Sequence, residues 1–188
     1  QDGCGRAEEN ILKLGGDHAA PPSIRERGAS GLLEQIFVVL VDTGMGSTVT
    51  NPGAVAMFTG GADGHLLDEL QAVGVRPEDI DTVFLTHLHP DHVGWNLRPG
   101  GGPAQATFPR ARYLTHQADW EAFKTPEVQG HFPFPFWEET IGPLETLGVL
   151  ELLSGEQALT SEITAIPTPA TGPPTTAPAT PRNADRTA

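Results

Sequence analysis

Cysteine is almost absent from this sequence, with Cys4 the only one among 188 residues. A single cysteine excludes a disulfide within the chain and a zinc site built from several thiolates. The lack of disulfides is compatible with a reducing compartment, and we expect a cytoplasmic protein. A metal site in this chain would have to use histidine and carboxylate side chains.

Basic side chains and long apolar runs are also scarce. The 11 Lys and Arg residues against 24 Asp and Glu residues give a net charge of −13, which repels nucleic-acid backbones and anionic membrane surfaces. The longest apolar run, IFVVLV at 36–41, is far shorter than the roughly 20 residues that span a bilayer. We therefore expect a small-molecule substrate, with no nucleic acid and no membrane as partner. The oligomeric state stays open.

Glycine and proline, by contrast, are abundant, with 22 and 18 residues, and their distribution divides the chain into three parts. Residues 1–31 mix charges with Gly and Pro, which predicts an irregular lead-in with one short helix near 7–14. Residues 32–166 carry the periodic apolar pattern of a folded domain. Residues 167–188 are mostly Pro, Thr and Ala, and this composition predicts a disordered tail because it buries too little apolar surface.

Within the domain, strand-like and helix-like patterns alternate. Strands are predicted at 82–87, 111–116 and 149–153, and 36–44 is predicted to be a buried strand that ends in a tight turn at Asp-Thr-Gly, from runs of β-branched, aromatic and other apolar residues. Helices are predicted at 65–73, 117–123 and 138–147, whereas 44–64 and 131–137 are predicted to be loops. This order of elements predicts the α/β class.

The most informative segment of the sequence lies at the end of the strand predicted at 82–87. It contains His87, His89, Asp91 and His92, so that three of the seven histidines fall within six residues. Imidazole and carboxylate groups are ligands that zinc, iron and manganese accept. The alternative is that these are ordinary histidines of a solvent-exposed loop, but few structural needs explain such a cluster.

The spacing of these four side chains suits two metal ions. Two histidines separated by one residue can face the same ion at the C-terminal end of a strand, so His87 and His89 are predicted to share the first metal. Asp91 and His92 lie beyond the turn imposed by Pro90 and are predicted to hold a second ion about 3.5–4 Å away.

Together with VDTG at 41–44, this segment resembles the metallo-β-lactamase superfamily, whose signature is H-x-H-x-D-H after a short strand. The resemblance extends from Phe37 to about Ile166. It implies a four-layer αββα sandwich, of which the chain would carry largely the N-terminal half and the middle. The segment ADWEAF at 118–123 is more similar to the lactonase and esterase-like branches than to the drug-hydrolysing β-lactamases.

The resemblance also implies a reaction. Relatives use two divalent ions, most often zinc, with iron and manganese as alternatives, to generate a hydroxide that attacks a lactone, ester or related bond. Asp91 is implied to be both a ligand and the catalytic residue, since its carboxylate can pass a proton to the leaving group. Asp42 matches a turn residue that supports the metal site, although a plain turn-forming aspartate is the alternative. A β-lactamase that cleaves β-lactam amides is a second candidate activity.

After residue 166 the sequence departs from this pattern. Relatives continue with a segment like T-P-G-H-T-x-G-H, which supplies a further histidine ligand, and later with a bridging aspartate and a last histidine. Here Ala170 and Thr171 stand where Gly-His is expected, and no histidine follows His131. We therefore expect a chain that is C-terminally truncated or frame-shifted relative to the family, with low activity. The alternative function is a catalytically inactive fragment that binds metal or a partner without turnover.

The remaining candidates are weaker. His116 is expected to be a surface histidine or one that supports the site, rather than a ligand. Five aromatic residues are candidates for an apolar substrate pocket, but core and loop packing is the simpler interpretation, so the substrate-binding residues stay unassigned: Trp95, Phe132, Phe134, Phe136 and Trp137.

Overall fold

The computed structural model describes residues 37–100 and 102–168. The lead-in at 1–31, with its expected helix, and most of the predicted tail lie outside the described residues. The proposed limits of the domain therefore stay predictions.

A four-stranded parallel sheet forms the centre of the described structure. Its strands lie in the order in which they occur along the chain, each parallel to its neighbour. Parallel neighbours must be joined by crossover connections, and helical segments lie in all three of them. The mixed α/β class predicted from the sequence is confirmed. The strands are β1 (Val39–Val41), β2 (Thr82–Phe84), β3 (Arg112–His116) and β4 (Leu150–Leu153).

The helices are short, and two further strands form a small hairpin. A 3₁₀ turn (Pro77–Asp79) and a π-helical turn (Trp137–Ile141) complete the described elements. The helices are α1 (Pro52–Phe58), α2 (Leu66–Ala72), α3 (Pro90–Val93), α4 (Gln117–Phe123), α5 (Pro126–Gln129) and α6 (Pro143–Thr146). The antiparallel hairpin consists of β5 (Gln157–Ala158) and β6 (Thr164–Ala165).

The main core lies on one face of the sheet. Val83 of β2 is opposite Tyr113 of β3, and both are fully buried. They belong to the same apolar cluster as Trp120 and Phe123 of α4 and Leu144 of α6. Burial of such large side chains supplies the dominant free energy of folding, about 25 cal/mol per Å² of apolar surface.

The opposite face of the sheet is covered only in part. Successive strand residues point to opposite faces, so Phe84 and Leu114 point away from the main core. Leu114 packs in a second cluster that includes Leu159 and Ala165, from the region of the hairpin. Val41, opposite Phe84 in the sheet, is 55% exposed within the described structure. The hairpin thus protects this face mainly above β3 and β4.

One prediction of secondary structure was wrong. The segment 44–64 was expected to be a loop throughout, but it contains α1, which begins with Pro52 and buries Ala54 and Val55. Proline suits the first turn of a helix because that position needs no amide hydrogen.

The helix expected at 138–147 is present, but it consists of a π-helical turn followed by α6. The amide of Gly142 donates to the carbonyl of Trp137 at 2.7 Å, which closes a π-helical turn, and Pro143 then starts α6. Proline cannot donate the next hydrogen bond of a continuing helix.

Other predictions agree closely with the structure. The helices expected at 65–73 and 117–123 correspond to α2 and α4, and the strand expected at 111–116 corresponds to β3. The helices α3 and α5 and the β5–β6 hairpin were not predicted. No helix in the described part of the chain is long and apolar enough to cross a membrane.

Candidate functional site

The histidine-rich segment lies at the C-terminal edge of the parallel sheet. β1 leads directly into Asp42, and β2 leads through Leu85 and Thr86 into His87. Since β1 and β2 are parallel neighbours, their C-terminal ends meet at the same edge. The amide of Asp42 donates to the carbonyl of Phe84 at 2.9 Å, which extends the pairing up to the site.

The short helix α3 turns Asp91 and His92 back towards the sheet. It begins at Pro90, and the amide of His92 donates to the carbonyl of His89 at 3.0 Å. The carbonyl of His92 accepts the amide of Thr43 at 2.7 Å, so α3 is fastened to the segment after β1.

Glycine is required at the end of α3. The amide of Gly94 donates to the carbonyl of Gly44 at 2.7 Å. A Cβ at this position would overlap the backbone of Met45 and Gly46. The close contact between these two backbone segments therefore depends on residue 94 having no side chain.

The ring of His87 contacts the rings of both other histidines of the predicted site. The ring centroids of His87 and His89 lie 4.7 Å apart at an angle of 86°, and those of His87 and His92 lie 3.8 Å apart. His89 also packs edge-on against Phe123, with 5.8 Å between the ring centroids. The structure thus brings together the histidines that the sequence singled out.

Asp42 contacts both ends of the histidine-rich segment, at Thr86 and at His92. Its Oδ2 lies 2.8 Å from Nδ1 of His92, and its Oδ1 accepts the amide of Thr86 at 2.8 Å. The residue has a φ of +56°, in the left-handed region, where aspartate is one of the tolerated residues. These contacts are compatible with the supporting role that the resemblance implies for Asp42, which stays a prediction.

Asp91 lies next to the other ring nitrogen of the same histidine. The distance from its Oδ2 to Nε2 of His92 is 3.3 Å, and the Asp91 side chain is 56% exposed. A carboxylate oxygen and an unprotonated ring nitrogen are both acceptors. They lie this close favourably only if a proton or a cation is between them.

Burial also acts on the charge state of the site. It lowers the pKa of His87 below its ordinary value, and the neighbouring His92 and His89 lower it further. Burial likewise lowers the pKa of His89, with nearby Asp91 opposing the effect. Both shifts favour neutral imidazole, which is the form that binds a metal ion.

The fit to a metal ion is good in the kind of donor but incomplete in arrangement. Imidazole nitrogens and a carboxylate are the donors that a divalent transition metal accepts. However, within residues 37–100 and 102–168 no group of three or more His, Cys, Asp or Glu side chains is arranged so as to hold an ion. The side chains are gathered at one edge, but they do not close around a single point.

Beside this edge lies a cavity of about 550 Å³. Its polar lining includes Thr86, His116 and Asp119, and burial raises the pKa of the Asp119 carboxyl above its ordinary value. His116 caps α4, because its Nδ1 accepts the amide of Ala118 at 3.1 Å. This contact is local, and the expectation that His116 is a surface histidine or one that supports the site stays a prediction. Sequence reasoning singled out neither Thr86 nor Asp119, since one threonine or aspartate carries no distinctive signal.

The aromatic candidates pack mainly on one another. Phe132 and Phe136 have ring centroids 4.5 Å apart, and Trp137 lies 4.7 Å from Trp120 of the main core. Phe134 contacts both of these phenylalanines. None of these residues is among those that line the cavity. Their contacts favour the packing interpretation over a substrate pocket.

The chain thus has a parallel sheet with helices in its connections, and a cluster of histidine and aspartate side chains at the ends of the first two strands. These two features define its class of protein. Residues 34–173 match the family model of the metallo-beta-lactamase superfamily. The chain belongs to that superfamily.

Individual relatives match only part of the chain, at modest sequence identity. The chain is 32% identical over 105 residues to the N-acyl homoserine lactonase AiiB of Agrobacterium fabrum, and the match covers 47% of this chain and 38% of the lactonase. The chain thus spans less than half the length of this curated relative.

Solved structures support the fold. The crystal structure of a "probable metal-dependent hydrolase" from Staphylococcus aureus matches with a TM-score of 0.56 and 22% identity, over 71% of this chain and 45% of that one. An N-acyl homoserine lactone hydrolase with N-hexanoyl-L-homoserine at its catalytic metal centre matches with a TM-score of 0.45 and 22% identity, over 72% of this chain and 50% of that one. The first match shows a common fold, and the second is too low in TM-score to add to it.

Proposed function

We propose that this chain carries the histidine-rich part of a metal-dependent hydrolase centre that acts on a lactone, an ester or a related bond. The observation that carries the proposal is that His87, His89, Asp91 and His92 lie together at one edge of the sheet, with Asp42 in contact with His92. Membership of the metallo-beta-lactamase superfamily and the similarity to a lactonase support it.

His87 and His89 would hold one ion, and Asp91 and His92 a second. Zinc suits these donors, with iron and manganese as alternatives. When bound, such ions polarise the substrate carbonyl and lower the pKa of bound water to near neutrality. A small-molecule substrate fits the site better than a large anionic partner, since the chain is strongly acidic.

The residues of the chain itself have separate tasks. Asp42 accepts hydrogen bonds from both ends of the motif and holds His92 in one orientation. Asp91 is half exposed, so its Oδ2 can take up a proton and pass it to a leaving group. Burial lowers the pKa of His87 and of His89, which favours the neutral form that can act as a ligand.

The proposal is tested with the full chain, purified and loaded with zinc. We expect bound zinc by elemental analysis and turnover of an N-acyl homoserine lactone or a p-nitrophenyl ester. The double variant His87→Ala/His89→Ala should lose both, whereas His131→Ala, outside the cluster, should lose neither. Equal zinc content and turnover in the double variant would contradict the assignment of these histidines.

A second candidate function is metal binding without turnover. One observation favours it: in the described part of the chain, no group of three or more His, Cys, Asp or Glu side chains is arranged to hold an ion. Stoichiometric zinc that depends on His87 and His89, without hydrolysis of any substrate, would establish this candidate. A chromogenic β-lactam in the same assay tests the β-lactamase alternative, which predicts turnover of that substrate and not of the lactone.

A further inference from the structure

Thr86 lies between the carboxylate of Asp42 and the ring of His87. Its Oγ1 is 2.8 Å from Oδ2 and 3.1 Å from Oδ1 of Asp42, and 3.1 Å from Nδ1 of His87. The amide of Thr86 donates to the same carboxylate at 2.8 Å. The threonine is therefore held to Asp42 by both its backbone and its side chain.

The number of protons decides the direction of each hydrogen bond. An ionised carboxylate only accepts hydrogen bonds, and a threonine hydroxyl has one proton to donate. The hydroxyl therefore donates to Asp42 and has only lone pairs left for His87. The contact with Nδ1 is then a hydrogen bond only if Nδ1 of His87 carries the proton and donates it to Oγ1.

A proton on Nδ1 of His87 determines the state of the other ring nitrogen, Nε2. A neutral imidazole with its proton on Nδ1 has its lone pair on Nε2. This is the reverse of the tautomer that a free histidine side chain prefers, so the contact with Thr86 must select it. Such outer contacts commonly fix the tautomer and ring orientation of metal-ligating histidines.

We propose that Thr86 is a positioning residue, which passes the orientation of Asp42 to His87 and fixes the lone pair of that histidine on Nε2. Asp42 holds Nδ1 of His92 directly, at 2.8 Å, so one carboxylate orients both histidines. That Nε2 of His87 then meets a metal ion rests on the proposed function. The tautomer itself does not.

His89 provides an internal comparison. In the described structure its ring packs against His87 and Phe123, and no hydrogen bond links it to Asp42 or Thr86. A change at Thr86 should therefore alter the ring nitrogens of His87 and leave those of His89 unchanged.

The variants follow from this geometry. Thr86→Val removes the hydroxyl at an exposed side chain with little change of shape, and Thr86→Ser keeps the hydroxyl. Thr82→Val is the matched control, because it removes a hydroxyl from the same strand region that has no hydrogen-bond partner among the described residues.

The first measurement is the ring ¹⁵N spectrum of the uniformly labelled, metal-free chain, at a pH where the imidazoles are neutral. We expect His87 to carry its proton on Nδ1 in the native chain, in Thr86→Ser and in Thr82→Val. In Thr86→Val the population should move towards the Nε2-protonated form, while His89 stays unchanged. A native His87 protonated on Nε2, or a Thr86→Val spectrum identical to the native one, would overturn the inference.

The second measurement is zinc affinity by competition with a chromogenic chelator. We expect Thr86→Val to bind zinc about 10- to 100-fold more weakly, Thr86→Ser to recover most of that loss, and Thr82→Val to match the native chain. If zinc binds the native chain with no difference among the variants, the positioning role fails. If the tautomer responds as expected but no zinc binds the native chain, the positioning role stands and the proposed function fails.

Discussion

At the scale of single residues, the candidate site depends on groups that accept hydrogen bonds without binding a metal. Asp42 is the clearest example, since its two carboxylate oxygens make hydrogen bonds with Thr86 and His92. Its side chain is 19% exposed, so the contact with His92 is partly shielded from competing water, whereas the hydrogen bonds from Thr86 are exposed. A shielded, charge-assisted hydrogen bond contributes more than an exposed one.

Replacement of Asp42 by Asn removes the negative charge of this side chain and keeps its shape. Asn tolerates the positive φ of this position nearly as well as Asp, but its amide brings donor hydrogens towards groups that already donate. We expect zinc affinity to fall about 10- to 100-fold, with little change in unfolding temperature. The control is Asp68→Asn, at an exposed carboxylate of α2. Native-like affinity of Asp42→Asn by chelator competition would contradict the role of Asp42.

Buried threonines provide a test of stability that does not involve the site. Thr115 is fully buried in β3, and its hydroxyl lacks a partner among the described residues. A buried polar group without a partner costs about 1–3 kcal/mol. Thr115→Val should therefore raise the free energy of unfolding by about 1 kcal/mol in a denaturant titration.

The matched comparison for Thr115 is Thr140. Thr140 is equally buried, but its hydroxyl donates to the carbonyl of Phe136 at 2.6 Å. Thr140→Val should lower the free energy of unfolding by about 1 kcal/mol, since the hydrogen bond is lost. If both variants changed the free energy of unfolding equally, the difference between a hydroxyl with a partner (Thr140) and one without a partner among the described residues (Thr115) would be contradicted.

At the scale of elements, the site is assembled by the contact between α3 and the segment after β1. This contact includes the hydrogen bonds of Thr43 to the carbonyl of His92 and of Gly94 to the carbonyl of Gly44. It is made by backbone atoms of two segments about 50 residues apart in sequence. Asp42 and His92 meet because these backbones approach each other closely.

Gly94→Ala should separate these two segments. The new Cβ would overlap the backbone of Met45 and Gly46, which cannot move aside as a flexible side chain would. We expect a loss of about 1–3 kcal/mol in stability and weaker zinc binding, because the Asp42–His92 hydrogen bond depends on this approach. In Gly100→Ala, where the Cβ would meet open space, thermal unfolding and zinc affinity should stay native. A native-like Gly94→Ala would argue against the tight contact.

The elements that the sequence predicted well are those with a strong local pattern. Helix α4 and strand β3 carry regular apolar spacing, and the expected ranges agree with the structure within one residue. Helix α1 was missed because Gly53 and the glycines at 60–61 give its segment the composition of a loop. The π-helical turn was missed because its hydrogen bonding spans five residues, as from the amide of Gly142 to the carbonyl of Trp137, and no local periodicity reveals this.

For the whole molecule, the cluster of histidines was predictable and its organisation was not. The spacing of His87, His89 and His92 already placed them together, because six residues after a strand cannot separate far. The contacts of Asp42 with Thr86 and His92 join positions 44 and 50 residues apart. Only the parallel pairing of β1 with β2 brings these together, so composition and local pattern could not specify them.

Metal binding at this edge should stabilise the whole folded chain. The proposed donors lie after β2 and in α3, and Asp42, which follows β1, contacts His92. The site is therefore assembled only when these elements are packed together, and an ion that binds only the folded state shifts the unfolding equilibrium. At a free zinc concentration about 100 times the Kd, the gain is roughly 2.7 kcal/mol. For a domain of this size, about 2–4 °C per kcal/mol gives a rise in Tm of roughly 5–11 °C. We expect this rise in calorimetry of the native chain with zinc but not with magnesium, which prefers oxygen ligands. The same rise in His87→Ala/His89→Ala would place the stabilising ion elsewhere on the chain.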